Sequence, residues 1–327
     1  MARYDPRVQV TVVGAGVIGL VTAQVLEEHG HEVRIVAAAS AERSVSFVAG
    51  AVWFPYRAGP QDKVAAWSAQ TRVWLEGLAA DPEAGVDLVT DYEISTHTAD
   101  PPPPPWWAAG LEIARVPAPI TGAPPAWRFR APRVEPARFL PWLTGRLRAR
   151  IEPMQLEDFA ALAALPGDAI VNCTGLGARA LLGDDAITPL LGQVVITECG
   201  EVDRALALTD ERVPDELFYL IPRRDELVLG GCAVPWPPGA PPEADPARTA
   251  RILAQARALG LAVGPVRDVR VGLRPYRAEV RIERDPRAPR VIHNYGHGGA
   301  GFTMCRGCAD AVVALLPATL PVTLPVT

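Results

Sequence analysis

The chain has 327 residues, enough for one large or two ordinary domains with substantial cores. Lysine and arginine number 32 against 37 for aspartate and glutamate, a formal net charge of −5 without a clustered basic stripe, so we expect no nucleic-acid partner. We expect a cytoplasmic protein, because the five cysteines lack the spacing of a disulfide framework and the first residues are polar. We expect no membrane partner, because no uncharged apolar window is long enough to cross a bilayer.

Residues 8–29 are predicted to form a strand, a glycine turn and a helix, in that order. The turn reads Gly-Ala-Gly-Val-Ile-Gly, with glycines at Gly14, Gly16 and Gly19. A dinucleotide-binding turn needs the first glycine for the tight turn, the second for close approach of backbone to a pyrophosphate and the third for packing of helix on strand. Because the N–H groups that begin the helix would face the diphosphate, this stretch predicts a dinucleotide site.

A second strand is predicted at residues 32–36, and its end is where the ribose of a bound dinucleotide would lie. The acidic side chain that usually binds the ribose hydroxyls is replaced by Ala-Ala-Ala-Ser-Ala at residues 37–41. Ser40 and Arg43 would suit a 2′-phosphate instead, which leaves NADP open as a cofactor. Arg43 would equally serve as a solvated loop residue.

Small residues lead into an aromatic cluster at residues 49–56, which read Ala-Gly-Ala-Val-Trp-Phe-Pro-Tyr. Small residues let backbone lie close to a flat ring, whereas Trp53, Phe54 and Tyr56 would either wall a pocket or join the core. A helix is predicted next, over residues 62–78. Proline-rich runs begin at residues 101 and 235; they cannot be helical and are predicted to be stiff loops at the rim of a substrate domain.

The middle of the chain changes in character. A helix interrupted near Pro141 is predicted over residues 135–150, followed by a buried strand that leads from residue 169 into a glycine turn. Short strands then dominate and are predicted at residues 194–197, 217–221, 226–229 and 269–273, with one long helix among them at residues 247–259. This order is typical of the antiparallel sheet of an α+β domain.

A second strand, glycine turn and helix are predicted near the C-terminal end, at residues 290–295, 296–301 and 304–316. Two such units at opposite ends of one chain indicate that both ends complete a single cofactor domain. The middle of the chain would then form the other domain.

Six motifs occur in the order seen in one known family. They are the N-terminal glycine turn, Asn-Cys-Thr-Gly at 172–175, Leu-Leu-Gly-Gln at 190–193, Phe-Tyr-Leu-Ile-Pro at 218–222, Val-Gly-Leu-Arg-Pro at 271–275 and His-Asn-Tyr-Gly-His-Gly-Gly at 293–299. On these motifs the chain resembles the D-amino-acid oxidases along nearly its whole length. The resemblance implies a discontinuous α/β FAD-binding domain of Rossmann-like fold and an α+β substrate domain with a mostly antiparallel sheet. The FAD-binding domain would comprise residues 1–57, 150–190 and 282–327, and the substrate domain residues 58–149 and 191–281.

The resemblance also implies candidate catalytic residues. Arg274 matches the family's arginine for the substrate carboxylate, and a planar guanidinium suits this task because it makes two charge-assisted bonds and stays protonated. An ion pair with Glu279 or Glu283 is the alternative for Arg274. Tyr219 matches the tyrosine whose hydroxyl donates to the same carboxylate, and Gly299 matches the position whose carbonyl accepts from the substrate amine.

The positions that match the family's FAD contacts are mostly backbone or small residues, and no metal is implied. They are Gly14, Ala15, Gly16, Val17, Ile18, Gly19, Ala37, Ala38, Arg43, Ser44, Ala49, Gly50, Ala51, Leu176, Arg274, Gly298, Gly299, Ala300, Gly301, Phe302 and Thr303.

The predicted pocket for the substrate side chain contains Phe54 and Ile221, both apolar, and no arginine lies near residues 230–233 in the sequence. An acidic side chain would be buried without a partner there. We therefore expect neutral and apolar D-amino acids as substrates, oxidised by hydride transfer to FAD and converted with dioxygen and water to 2-oxo acids, ammonia and hydrogen peroxide.

A glycine or sarcosine oxidase is the main alternative, and an NADP-dependent dehydrogenase or a non-catalytic flavin-binding protein are more distant ones. A homodimer stays open.

The chain departs from the family pattern at several positions. Asp215 stands where mammalian members have a second pocket tyrosine, Phe54 where they have a glutamine, and Leu191 where an arginine is common. These departures leave the substrate range open.

Four further residues could suggest other chemistry. His297 is expected to form part of the glycine turn rather than to act as a base, and His293 to pack in its strand. Cys305 and Cys308 have the spacing of a metal or redox pair, but without a second pair or a thioredoxin-like context they are expected to be buried, unreactive thiols.

Overall fold

The computed structural model of the protein describes residues 7–95, 103–120, 122–213 and 217–316. The predictions for Asp215, for the first two residues of the proline run at 101–105 and for the segment after residue 316 lie outside these ranges.

The described residues form fourteen strands and seven α-helices, with short 3₁₀ turns between some of them. The strands are β1 (Gln9–Val13), β2 (Glu32–Ala37), β3 (Val86–Ile94), β4 (Ala114–Val116), β5 (Ala126–Val134), β6 (Ile151–Pro153), β7 (Ala169–Asn172), β8 (Thr188–Thr197), β9 (Leu206–Asp210), β10 (Phe218–Pro222), β11 (Leu227–Gly230), β12 (Val234–Pro235), β13 (Val266–Asp285) and β14 (Ala288–His297). The helices are α1 (Val17–Glu28), α2 (Gln61–Leu78), α3 (Pro136–Thr144), α4 (Phe159–Ala163), α5 (Gly177–Leu182), α6 (Pro246–Ala258) and α7 (Gly301–Val313).

Five strands form a parallel arrangement in the order β14-β7-β1-β2-β6. Their runs of β-branched residues are buried on both faces, as a parallel sheet covered by helices requires; Val12, Ile35 and Ile170 are fully buried. Because β1 comes from one end of the chain and β14 from the other, both ends contribute to one sheet. This arrangement confirms the predicted discontinuous, Rossmann-like class.

Three helices pack together beside the parallel strands, with α1 and α2 both against α7. Gly307 of α7 permits the close approach of α2, because a Cβ there would lie 2.6 Å from the carbonyl oxygen of Trp67. The backbone N–H groups of Arg306 and Gly307 also donate to Thr71 Oγ1, each at 3.1 Å. The α2 segment, which the sequence assigns to the substrate domain, therefore packs closely on a helix of the cofactor half.

The remaining strands continue the same sheet in the order β4-β5-β3-β9-β10-β11-β8. Their pairs are antiparallel except for β3 with β9, and β12 adds a short pair to β8. Helix α6 covers one face of this half, where Ile252 and Ala256 pack with Leu220 and Leu229. The predicted mostly antiparallel substrate half is confirmed.

Strand β13 joins the two halves. Its first part, up to Tyr276, pairs with β8, and its second part, from Arg281 onward, pairs with β14 after a register shift. The sequence predicts only residues 269–273 of this 20-residue strand.

The helix predicted over residues 135–150 is wrong in its length. Helix α3 ends at Thr144, where Gly145 follows, and β6 begins at Ile151. The strands β3, β5 and β9 are absent from the sequence prediction altogether.

Candidate active site

A cavity of about 790 Å³ lies between the two halves of the molecule. Its lining runs from the N-terminal glycine turn, along residues 44–51, to Tyr219 and Arg274. This volume falls within the range of about 300–1,000 Å³ that is usual for ligand sites.

The glycine turn forms one end of this cavity. Gly14 has φ +118°, a conformation that side chains disfavour, and a Cβ there would lie 2.5 Å from the carbonyl oxygen of Cys173. The N-cap residue of helix α1, Gly16, has no side chain to cap the helix, and the first turn has no acidic residue. Its positive end is therefore available to an anion in the cavity.

The remaining residues of the turn divide by role. Ala15, Gly16, Val17 and Ile18 line the cavity, as predicted for cofactor contacts. Gly19 does not line it, and instead faces Gly14, whose carbonyl oxygen a Cβ at position 19 would overlap. The sequence analysis missed Ser46, whose Oγ accepts from the N–H of Val17 at 3.0 Å and lines the cavity.

The far end of the cavity lies beyond β2. Ala37, Ala38 and Ser44 line it, whereas Arg43 is exposed and is not among the lining residues. Arg43 ends a short 3₁₀ turn, and its contact with the cofactor stays a prediction. Residues 154–157, which follow β6, line the cavity beside Ala37 and Ala38. Sequence reasoning missed them, because β6 is too short to give a clear pattern.

The segment of small residues at 49–51 forms a side wall. Ala49, Gly50 and Ala51 all line the cavity, and so does Leu176 from the opposite side. A Cβ at Gly50 would lie 2.8 Å from Ile221 Cδ1 and 3.3 Å from the ring of Tyr219, so a side chain there would have to displace these residues of β10.

The C-terminal glycine turn contributes Gly298, Gly299, Gly301 and Phe302 to the lining. Ala300 and Thr303 are buried and do not line the cavity, so their predicted cofactor contact is not made through the cavity surface.

Thr303 fixes the aromatic segment instead of the cofactor site. Its Oγ1 accepts from the N–H of Phe54 at 3.1 Å and donates to the carbonyl of Phe54 at 2.9 Å. The C-terminal helix thereby holds a residue of the predicted substrate pocket.

Arg274 lies on β13 and lines the cavity. Its Nη1 donates to the carbonyl of Cys232 at 2.6 Å, and the guanidinium occupies the space that a side chain at Gly192 would fill. The alternative ion pair is not made among the described residues, since Glu283 pairs with Arg281 at 2.7 Å. The guanidinium is thus fixed by backbone at one side and faces the cavity with the other.

Tyr219 lies on β10 and is buried at the same wall. Its ring fills the space left by Gly230, where a Cβ would overlap it. Burial raises the pKa of the Tyr219 hydroxyl above its ordinary value, while the charge of Arg274 acts in the opposite direction. The hydroxyl therefore stays a hydrogen-bond donor beside the guanidinium.

Gly299 completes the group, since a Cβ there would lie 3.3 Å from Arg274 Cδ and 3.1 Å from the ring of Tyr56. The structure therefore brings together all three candidate catalytic residues at one end of the cavity.

The predicted side-chain pocket is apolar. Phe54 and Ile221 line the cavity together with Val52 and Leu217. The aromatic cluster divides, because Phe54 and Tyr56 line the cavity while Trp53 packs in the core, edge to face with Phe129.

No arginine is close to residues 230–233 in the sequence, but the fold places one beside them, and the expectation of none nearby is therefore wrong. Arg251 of α6 donates to the carbonyl of Gly231 at 3.4 Å, although it is not a cavity-lining residue. Arg270 does line the cavity, but it pairs with Asp268 at 2.8 Å and lies 3.9 Å from Glu226. The additional cations are therefore held by backbone or carboxylate groups.

The two histidines near the C-terminal turn are both buried. His293 contacts Asp285, with Nε2 and Oδ2 3.0 Å apart, so it packs in its strand as expected and is also hydrogen-bonded. His297 lines the cavity, and burial lowers its pKa to about 3. It is therefore neutral at ordinary pH.

All five cysteines are buried and free. Burial raises the pKa of Cys305 to about 12 and that of Cys308 well above its ordinary value. The predicted burial is confirmed, and since both thiols stay protonated we expect them to be unreactive. No group of three or more metal-ligating side chains occurs among the residues that the structure describes.

Comparisons with known proteins agree with this geometry. Residues 9–315 match the family model DAO, described as FAD dependent oxidoreductase. A D-amino-acid oxidase of Rubrobacter xylanophilus is 39% identical over 313 residues, which cover 93% of this chain and 94% of that protein. A D-amino-acid oxidase of Streptomyces coelicolor is 38% identical over 314 residues, covering 94% and 96%.

A solved glycine oxidase from Geobacillus kaustophilus superimposes with a TM-score of 0.75 at 16% identity, covering 95% of each chain, which supports the fold alone. None of the helices in the described ranges has the length and apolar character needed to cross a bilayer. The match along nearly the entire sequence, together with the glycine turn and the cavity it opens, identifies the chain as a member of the DAO family of FAD-dependent oxidoreductases.

Proposed function

We propose that the chain is a D-amino-acid oxidase that converts neutral and apolar D-amino acids, dioxygen and water to 2-oxo acids, ammonia and hydrogen peroxide. The observation that carries the proposal is the convergence of Arg274, Tyr219 and Gly299 on the cavity that begins at the N-terminal glycine turn. The names of the two curated relatives support the same activity.

The cavity fits FAD on two observations. The glycine turn has no room for side chains at Gly14 or Gly19, and α1, whose Val17 N–H donates to Ser46 Oγ, would present its positive end to a diphosphate. Gly16, Val17 and Ile18 would bind the diphosphate, and Ala37 and Ala38 would lie beside the adenosine. The remaining cavity wall, formed by residues 49–51, Leu176 and the C-terminal glycine turn, would hold the ring.

Bound FAD would supply the chemistry of accepting a hydride from the substrate Cα and passing the electrons to dioxygen. Arg274 would bind the substrate carboxylate, because its guanidinium is held at one edge by the Cys232 carbonyl and presents the other to the cavity. Tyr219 would donate to the same carboxylate. The carbonyl of Gly299 would accept from the substrate amine.

These contacts would hold two substituents of Cα, the carboxylate and the amine. The apolar pocket would hold the third, the side chain, and the three together would set the chirality at Cα. Hydride transfer requires no side-chain base. Burial lowers the pKa of His297 to about 3, which makes it a weak base, and burial raises the pKa of the Tyr219 hydroxyl, which keeps it protonated. The chain would therefore act by orientation and by exclusion of water from an apolar pocket.

The side-chain pocket favours neutral substrates. Val52, Phe54, Leu217 and Ile221 offer apolar surface, and Arg270, the further cation on the lining, already pairs with Asp268. A buried carboxylate without its own partner is costly, so D-aspartate should be a poor substrate.

Three further points belong to the proposal. The domain boundaries are supported by the five parallel strands, which all lie in the proposed FAD-binding segments, whereas the antiparallel β13 crosses the boundary at residue 282. A cytoplasmic location is supported by five free, buried cysteines. A homodimer stays a prediction.

Peroxide release by the purified holoenzyme tests the proposal. D-methionine and D-valine should be oxidised with kcat/KM roughly 10-fold or more above glycine and D-aspartate, and the L enantiomers should give no peroxide. A clear preference for glycine would indicate the related glycine oxidase activity instead. A preference for D-aspartate would contradict the proposed pocket.

A further inference from the structure

We infer that Arg223, which directly follows β10, is a positioning residue that aims two backbone N–H groups of the cavity wall, those of Gly50 and Ala51, at negative charge on the bound flavin ring. The inference rests on the proposed binding of FAD. Arg223 does not line the cavity and would touch neither cofactor nor substrate.

The side chain of Arg223 is 5% exposed and makes hydrogen bonds on two sides. Nη1 donates to Glu226 Oε1 at 2.7 Å. Nη2 donates to the carbonyl of Ala49 at 2.7 Å and to that of Gly50 at 3.3 Å. One buried cation therefore holds two consecutive carbonyl groups of the wall.

Peptide geometry then sets the direction of the following N–H groups. In a trans peptide the C=O of one residue and the N–H of the next point in opposite directions. Because the carbonyls of Ala49 and Gly50 face Arg223, the N–H groups of Gly50 and Ala51 face away from it. Both residues line the cavity, and neither N–H has an acceptor among the described residues.

The backbone of Ala51 gives a second, independent observation. Ala51 is not glycine, yet it has φ +60°, a strained conformation that persists only where the surroundings impose it. Its carbonyl accepts from the N–H of Val134 at 2.8 Å, which fixes the wall from the β5 side. Arg223 on one side and β5 on the other thus hold a conformation that the wall would not adopt alone.

The wall also lies against the residues that would bind substrate. Tyr219, Ile221 and Arg223 are spaced two residues apart, so their side chains project to the same face of β10. A Cβ at Gly50 would lie 3.3 Å from the ring of Tyr219. The N–H groups therefore face the region where the ring must lie between the glycine turn and the substrate. Since two aligned N–H dipoles backed by a cation stabilise negative charge, reduced flavin should gain more from them than oxidised flavin.

Dye-coupled measurement of the flavin midpoint potential in holoenzyme, which needs no amino acid, tests the inference. In Arg223→Met we expect reduced FAD to lose about tenfold more affinity than oxidised FAD, a fall of about 30 mV for a two-electron couple. Arg224→Met is the matched control, because Arg224 donates to the carbonyl of Pro82 and makes no contact with the wall. Its potential should equal that of the parent protein.

An Arg223→Met protein that is less thermostable but has an unchanged potential would overturn the inference, because the role would then be structural only. If Arg223→Met does not retain FAD, Arg223→Lys tests the inference instead. An ammonium keeps the charge but lacks the planar, forked donors with which the guanidinium binds both carbonyls. A partial fall in its potential supports the inference, and an unchanged potential overturns it. Parent protein that purifies without flavin, or whose flavin is reduced by dyes and not by D-amino acids, would instead refute the proposed function.

Discussion

Asp91 is an aspartate buried in the protein away from the cavity. It lies on β3 opposite Phe129 of β5, it is fully buried, and neither carboxylate oxygen has a well-aligned hydrogen-bond partner among the described residues. Burial raises its pKa to about 7, and burial also raises the pKa of Glu93, which lies on the same face of β3. Asp91 is therefore protonated in the folded protein where a solvated aspartate would be ionised.

We predict that Asp91→Asn stabilises the protein in alkaline solution. Between about pH 4 and about pH 7 the folded carboxyl keeps a proton that the unfolded chain has lost, so stability falls as the pH rises through this window. Asparagine has no such cost. Near pH 8 the variant should gain at least about 1.4 kcal/mol of unfolding free energy, the equivalent of one pKa unit, and near pH 4 it should gain little.

Thermal unfolding of the holoenzyme at both pH values measures this effect. Asp87→Asn is the control, because Asp87 pairs with the buried Arg133 at 2.8 Å and its loss should destabilise the protein near pH 8. An Asp91→Asn variant that melts below the parent protein near pH 8 would show that the carboxylate has a stabilising partner.

At the scale of residues, a site residue can be predicted from the sequence where its residue type and its neighbours in the chain are enough to indicate its role. Arg274, Tyr219 and the glycines of both turns are of this kind. Ser46 and Arg223 are not, because their partners come from distant parts of the chain: Ser46 contacts Val17, and Arg223 contacts Ala49 and Gly50. Asp91 is not either, because only the packing around β3 shows that it is fully buried. The exposure of Arg43 could not be predicted either, since it depends on the path of its turn.

At the scale of elements, the pairing of β8 with β13 determines how the substrate arginine is held. Gly192 and Gly272 are directly opposite each other in this pair, two residues before Arg274 on β13. A Cβ at Gly192 would lie 2.6 to 2.7 Å from the guanidinium atoms of Arg274. The absence of a side chain on β8 is thus what admits the guanidinium.

We predict that Gly192→Ala displaces Arg274 and lowers kcat/KM for D-amino acids by roughly 10²-fold, mainly through KM, while FAD stays bound. Gly272→Ala is the matched control on the facing strand, since its Cβ would meet methyl groups of Val48, at 2.9 Å, and Val45, at 3.9 Å, and not the guanidinium of Arg274. Steady-state peroxide release and the flavin spectrum of both variants measure the effects. Equal kcat/KM values for the two variants would contradict the assigned position of Arg274.

Elements with continuous apolar runs could be predicted, and those that depend on long-range pairing could not. β1, β7 and β14 are buried on both faces, so their composition alone identifies them. β13 carries six arginines and four acidic residues among its apolar residues, and it is a single strand only because β8 and β14 both pair with it. Composition could not show that continuity.

At the scale of the whole molecule, β13 joins a parallel and an antiparallel arrangement into one sheet, and the cavity opens where they meet. The glycine turn lies at one end of this cavity, and Arg274 lies at the other, on the strand that spans both halves. The order of motifs along the chain indicates both ends of the site, and the structure adds the wall that connects them.

Anaerobic addition of D-methionine to the purified protein, followed by the flavin absorption spectrum, tests the central claim most directly. The parent protein should show bound flavin that is bleached by D-methionine and not by L-methionine. Arg274→Leu should keep the flavin spectrum and lose at least about 10²-fold in the rate of bleaching, because the substrate carboxylate loses its charged partner. Undiminished bleaching in Arg274→Leu would show that this arginine does not bind the substrate, and the account of the site would be wrong.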